Sequence, residues 1–416
     1  MTTYNVNLHE AIFSLSNALD LVGVTHIHHG KRVAYMATEC GKRLGWSGSR
    51  LDDLFQSAIL HDSGVSKTTV HAQLAQMEWE SEADHCAQGA ALLAGCSLLC
   101  HLADTILHHH THWSVLKDLD LPLEVKLRAN CIYMVDRVDV LALGYQIAGK
   151  DILLGREEIR RKIFERRDTW FCPELVDVFM EISRSEAFWF TLESDYVNVY
   201  LATWLSHFPE RTMEFHELRS LVYVFSCIVD AKSPYTKKHS DGVANLARYL
   251  GRHFQLPPAT CEMLELVGLL HDIGKLRVPD QLLEKPGALD DAEIVVMRRH
   301  SFDTYNILRN IRGLEQVSLW ALQHHERMDG SGYPYKIKGD DLSFEARIVA
   351  VADVFQALAQ DRPYRGALEQ KVILTILKQQ ADSGKLDNRV VAAVEANLQE
   401  CWQVATQAMH NPGVIT

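Results

Sequence analysis

No CxxC pair occurs among the nine cysteines of this chain, and their odd number and scattered placement read as buried thiols in a reducing compartment. Long apolar runs are missing too. Stretches such as LVYVFSCIV (Leu221 to Val229) are too short to span a bilayer. The opening MTTYNVNLHEAIF has no basic segment followed by an apolar core, so no signal peptide is expected. Excess positive charge is absent: the net charge of −12 and the pI near 5.9 exclude a protein that coats polymeric nucleic acid. A small anionic ligand stays open, because metals and a few arginines reverse the field locally. The expectation is a soluble, cytoplasmic protein without a membrane or a polynucleotide as partner. Strand-like alternation is scarce, and only Pro122 and Pro173 of the eleven prolines precede Pro209.

What is present is helical periodicity. After His239, the residues Val243, Leu246, Ala247 and Leu250 fall at i+4, i+7, i+8 and i+11, which sets His239 at the end of a core-facing stripe. Most later prolines (Pro234, Pro257, Pro258, Pro279, Pro286, Pro334 and Pro363) sit at expected breaks. An all-α fold follows. At 416 residues, 47% of them hydrophobic, the chain has room for two domains with their own cores.

Those two domains are copies of one another. LHDSG (Leu60 to Gly64) echoes LHDIG (Leu270 to Gly274), and His29 echoes His239, both at an offset of 210 (271 − 61, 239 − 29). His85 echoes His300, and the HHHTH cluster echoes the His324-His325 pair, at 215 (300 − 85, 324 − 109). Asp136 in YMVDRVDVL echoes Asp353 in AVADVFQAL at 217 (353 − 136). A near-constant offset over five landmarks marks an internal duplication. The expected division is a first domain over 1–195, a connecting segment over 196–216 and a second domain over 217–416. The aromatic content of the joint, within 191–215, predicts a helix or packed segment rather than a flexible tether.

The second copy carries seven metal-ligand types at wide, ordered intervals: His239, His271, Asp272, His300, His324, His325 and Asp353. A lone His-Asp pair is ordinarily a satisfied, partly buried polar pair. Here it follows the apolar run LELVGLL, so both side chains enter the interior, where they must be paired or metallated. Imidazoles and carboxylates in this ratio suit two divalent metals around a shared carboxylate, a centre that makes hydroxide at neutral pH and cleaves phosphate esters. Lys275, four residues beyond His271 and so on the same helical face, is placed to donate to a phosphate oxygen.

His271-Asp272 with Lys275, and the run HHERMDGSGYP (His324 to Pro334), resemble the HD-GYP family of bacterial cyclic dinucleotide phosphodiesterases. The resemblance covers roughly 217–399 of the chain. It implies a helical bundle holding two metals, iron or manganese first, with magnesium, nickel or cobalt as alternatives. The seven ligands carry over position by position, with Asp272 bridging the metals and Asp272 and Lys275 as the catalytic pair. DRPYR (Asp361 to Arg365) resembles the segment that grips the dinucleotide, which makes Arg362 and Arg365 substrate contacts beside Lys275. Three-metal members carry a carboxylate one turn before the first histidine; here Tyr235 stands there, so two metals and a linear, 5′-phosphorylated product are expected. Where the family shows HPxxG, this chain has His300-Ser301-Phe302-Asp303-Thr304, a turn of different chemistry. The default substrate implied is cyclic di-GMP, with 3′,3′-cyclic GMP-AMP as the alternative, and a non-hydrolysing cyclic dinucleotide receptor is a reading from another class. A homodimer, and a regulatory protein docking on the GYP loop, stay open as partners.

The first copy keeps a candidate at every ligand position: His29, His61, Asp62, His85, two of His108, His109 and His110 (the last two above all), and Asp136. It loses the rest. Val65 replaces Lys275, no DGxGYP follows HHHTH, and Ile152 to Glu165 has no RPYR. The expectations are a second phosphohydrolase site acting on the linear product, a metal-bound regulatory domain, or a metal-free scaffold.

Overall fold

The structure, a computed structural model, describes residues 2–22, 28–65, 83–232, 239–360 and 366–407. The architecture is all-α, and among these residues the two strands are four residues each. No helix among them is long and apolar enough to cross a membrane.

The chain divides into two compact units, Leu8–Pro209 and Met1–Asn7 with Glu210–Thr416. This departs from the expected boundaries. The first seven residues belong with the second half, and the helix Ser194–Leu205 belongs to the first unit rather than to a connecting segment. The physical reason is a strand pair that periodicity over so few residues hides. Strand β1 (Thr3–Val6) pairs antiparallel with β2 (Arg211–Glu214), Thr3 opposite Glu214 and Val6 opposite Arg211. Tyr4, Val6 and Met213 point inward, and the Tyr4 hydroxyl donates to Glu262 Oε2 at 2.7 Å. Glu214 then forms a capping box with Glu217 that starts the helix Phe215–Asp230.

Each unit is built around one helix buried along most of its length. In the first unit this is Leu123–Ile147, buried almost without a break from Val125 to Leu143. Its counterpart is Phe344–Ala359, opened by the Ser343 hydroxyl on the Ala346 amide. Because these helices are enclosed by the core along most of their length, Asp136 and Asp353 on them are carried into the interior. On the helix His239–His253, Val243, Leu246, Ala247 and Leu250 are each fully buried.

Candidate metal centres

In the second unit the helix Pro258–Leu270 stops just before the His-Asp pair, and Ile273–Arg277 continues as a 3₁₀ turn. Gly274 is needed at this stop: a Cβ there would lie 2.1 Å from the carbonyl oxygen of His300. The absent side chain lets the His-Asp corner press against the helix Asp291–Leu308, which carries His300. Gly64 does the same in the first unit, where a Cβ would stand 2.0 Å from the His85 carbonyl oxygen.

Three histidines are aimed by the same device. His271 Nδ1 donates to the Gly268 carbonyl at 2.8 Å, His300 Nδ1 to Met297 at 2.5 Å and His324 Nδ1 to Ala321 at 2.6 Å. A carbonyl only accepts, so the proton sits on Nδ1 and each Nε2 turns a lone pair to the cluster. Asp272 stands between two groups of these nitrogens. Its Oδ1 faces His300 at 3.4 Å and His324 at 3.9 Å, and its Oδ2 faces His271 at 3.3 Å and His239 at 3.8 Å. Asp353 Oδ1 lies 3.2 Å from His239 Nε2, and Oδ2 lies 3.8 Å from His325 Nδ1. His239, His271 and Asp353 form one group able to hold a metal, and His300, His324 and His325 another.

The donors fit divalent cations. His271 Nε2 and Asp272 Oδ1 are buried without a hydrogen bond, and the lone pairs of His300 and His324 face one another at 3.4 Å. Such an arrangement is unfavourable until a cation lies between the donors. Burial brings His300 down to about 4 and His324 to about 3, so both are neutral at pH 7. Burial opposes the charge on Asp272, but His271 and Lys275 outweigh it and hold the carboxyl well below its usual range.

Two local expectations are corrected. Lys275 does not share a continuous helical face with His271, because the helix has already ended; from the 3₁₀ turn its Nζ reaches Asp272 Oδ2 at 2.5 Å. The segment from His300 to Thr304 is no turn but the interior of a helix. There the Thr304 hydroxyl accepts from the Gly274 amide and donates to the His271 carbonyl, both at 3.0 Å, and so ties that helix to the His-Asp corner. Tyr235, Arg362 and Arg365 lie outside the described residues.

The GYP loop contains features that residue type alone did not reveal. Glu326 is buried and its carboxylate accepts from the Tyr335 amide at 2.7 Å and the Ile337 amide at 3.1 Å. The loop is thereby folded so that the Tyr333 ring lies 4.9 Å from the ring of His325. The Arg298 guanidinium sits 5.3 Å over Tyr333, a positive group beside the centre that no motif had singled out.

The first unit repeats the plan. His61 Nδ1 donates to Ala58 at 2.8 Å and His109 Nδ1 to Ile106 at 2.6 Å. Asp62 Oδ2 faces His61 at 3.5 Å and His29 at 3.6 Å, and its Oδ1 faces His85 at 3.8 Å. Asp136 Oδ1 lies 3.2 Å from His29 Nε2, and its Oδ2 lies 3.9 Å from His110 Nε2. His108 instead approaches Thr111, so His109 and His110 are the two that join the cluster. Cys86 Sγ joins the same group, 3.6 Å from His85 Nε2.

Among the described residues, this unit also buries charged side chains at positions where the second has uncharged residues. Arg137, fully buried, donates to Asp136 Oδ2 at 2.7 Å, and Asp139 binds both His29 Nδ1 at 2.7 Å and the Arg32 guanidinium at 2.6 Å and 2.9 Å. Burial would lower His29, but Asp136 and Asp139 push it up to about 10. The duplication offsets set Gly242 and Gln356 against Arg32 and Asp139. At that place the second unit packs a neutral amide on a glycine, where the first buries an ion pair.

Family models described as HD domains match residues 27–141 and residues 223–390. The fold is therefore that of a tandem HD-domain protein. Across 97% of its length the chain is 36% identical to the 3′3′-cGAMP-specific phosphodiesterase 1 of Vibrio cholerae serotype O1, covering 94% of that protein. It is 39% identical to the cyclic di-GMP phosphodiesterase response regulator RpfG of Xanthomonas campestris over 43% of this chain and 48% of the other. The crystal structure of a cyclic GMP-AMP specific phosphodiesterase of V. cholerae, V-cGAP3, matches 95% of this chain and 98% of its own with a TM-score of 0.64 at 26% identity. The chain belongs to the HD-GYP family of cyclic dinucleotide phosphodiesterases, with two HD domains in tandem.

Proposed function

We propose that the second unit is a dinuclear-metal phosphodiesterase that opens a cyclic dinucleotide to the linear, 5′-phosphorylated product. The carrying observation is Asp272, whose two oxygens face two separate groups of nitrogen donors. His239, His271 and Asp353 would hold one ion, His300, His324 and His325 the other, and Asp272 both. Bound there, the ions would supply Lewis-acid neutralisation of phosphate charge and an acidified water. Lys275 Nζ, beside Asp272, would donate to a phosphate oxygen as negative charge gathers there. Glu326 keeps the loop folded so that Tyr333 covers one side of the centre, which limits access of bulk water. Lys275, Arg362 and Arg365 are the proposed substrate contacts. Iron or manganese is the proposed metal.

For the substrate, 3′,3′-cyclic GMP-AMP stands ahead of cyclic di-GMP. Likeness to the cyclic GMP-AMP enzymes runs the length of both units, whereas likeness to the cyclic di-GMP regulator covers less than half of the chain. In the first unit, a complete donor set without Lys275 or the GYP loop supports a metal-bound domain that acts on the linear product or regulates the second unit.

Anaerobic purification with metal analysis, followed by product chromatography on the two cyclic dinucleotides side by side, tests this. The expected result is manganese- or iron-dependent ring opening that is lost in His271→Ala and Asp272→Ala. Tight binding with no product under either metal would instead favour a receptor.

A further inference from the structure

At position 301, next to the ligand candidate His300, the second unit has a serine whose hydroxyl lies 3.4 Å from His300 Nε2. The duplication puts Cys86 at the same place in the first unit, next to His85. Its thiol is buried and forms, with His85, His109 and His110, a group whose donor atoms all lie within 4.8 Å of one another.

The spacing inside that group is that of ligands around one ion. His85 Nε2 and His109 Nε2 are 3.3 Å apart, and Cys86 Sγ is 3.6 Å from the first and 3.9 Å from the second. An ion with ordinary metal–nitrogen and metal–sulfur bonds in tetrahedral geometry sets these edges at about 3.3 Å for two nitrogens and about 3.6 Å for nitrogen and sulfur. His109 cannot turn away, because its Nδ1 is fixed on the Ile106 carbonyl.

We propose that Cys86 is a thiolate ligand of the metal held by His85, His109 and His110, so that the first unit selects a thiophilic ion while the second, with serine there, offers only nitrogen and oxygen. On binding, the thiol proton leaves to solvent and sulfur donates to the ion. Thiolate favours zinc, ferrous iron or cobalt over manganese and magnesium, so one chain holds two centres of different metal preference. The inference rests on the metal-bound reading of the first unit and adds a ligand to it.

The full chain, stripped of metal and titrated anaerobically with Co²⁺, gives a direct readout. Unaltered protein is expected to show a near-ultraviolet thiolate-to-cobalt charge-transfer band. Cys86→Ser is expected to lose that band and keep visible absorption from cobalt on nitrogen and oxygen. The same fold already accepts serine at this place, as Ser301. X-ray absorption of the zinc-loaded, unaltered chain needs no variant: sulfur in the zinc shell supports the ligand, and a shell of nitrogen and oxygen alone overturns it. A band that survives Cys86→Ser also overturns it, as does cobalt in the first unit without a band, and both leave that unit's metal centre standing. If the cobalt content is unchanged by the double substitution His61→Ala, His109→Ala, the first unit holds no metal and both readings fall.

Discussion

Asp272 and Lys275 touch one another yet should fail differently when changed. Asp272→Asn replaces one metal-facing oxygen with an amide nitrogen, so bound metal per chain is expected to fall together with turnover, the latter by about a hundredfold or more. Lys275→Ala leaves every nitrogen and carboxylate donor in place. Metal content should hold while kcat drops by about a hundredfold. Elemental analysis beside steady-state kinetics separates the two, and equal metal loss in both variants would make Lys275 a structural counter-charge. A third residue, Glu326, binds two loop amides from a buried position, so Glu326→Ala is expected to cost about 1–3 kcal/mol in denaturant unfolding and to raise KM. That these side chains cluster was legible at this scale, because histidines and aspartates carried into the interior by apolar stretches must find polar partners there. Glu326 and Arg298 were not, since a loop-folding carboxylate and a ring-covering arginine are ordinary surface types until the loop has a shape.

Among elements, the informative junction is the corner where a helix stops and the His-Asp pair begins. Gly274→Ala pushes a methyl group into the His300 backbone and Gly64→Ala pushes one into that of His85. Each is expected to destabilise its own unit by about 1–3 kcal/mol and to weaken metal retention there, as read by two-transition unfolding and metal analysis. The repeated LHDxG was visible in the chain, but its glycine had no evident task until the neighbouring helix was in place. Helix ends were harder: the periodic stretch through His271 suggested that Lys275 continued the same face, whereas the backbone tightens into a 3₁₀ turn. Acid response also belongs here. In metal-free protein, burial holds His300 at about 4 against 6.5 for an ordinary histidine, so between these values the unfolded chain takes up a proton that the folded one refuses. Stability is then present above pH 6.5 and is lost as pH falls towards 4, by roughly 3 kcal/mol for this residue. His324 adds to the loss, and His271, raised by Asp272 against its burial, works the other way. Chemical denaturation from pH 7 to pH 4, with and without Mn²⁺, should show a larger loss when metal is bound. Liganded histidines refuse protons that the unfolded chain still takes up, and the stabilisation by metal disappears as pH falls.

Considered as a whole, the molecule is a duplication whose halves have diverged in charge pairing more than in donor type. Five landmarks at near-constant offset made that duplication readable, because clustered histidines and aspartates and the helices that carry them cannot drift independently. The boundary was not readable in the same way. Four residues of β1 carry too little pattern to announce a partner more than two hundred positions away. Removing residues 2–7 is therefore expected to destabilise the second unit and to leave the first unit's transition unchanged, a result that differential scanning calorimetry would register. The pairing also imposes an order in time. At about 5–20 residues per second, β1 is made on the order of ten seconds or more before β2 exists. Its inward Tyr4 and Val6 must stay unsatisfied until the entire first unit has been translated. The second unit is thus the first to begin synthesis and the last to be completed.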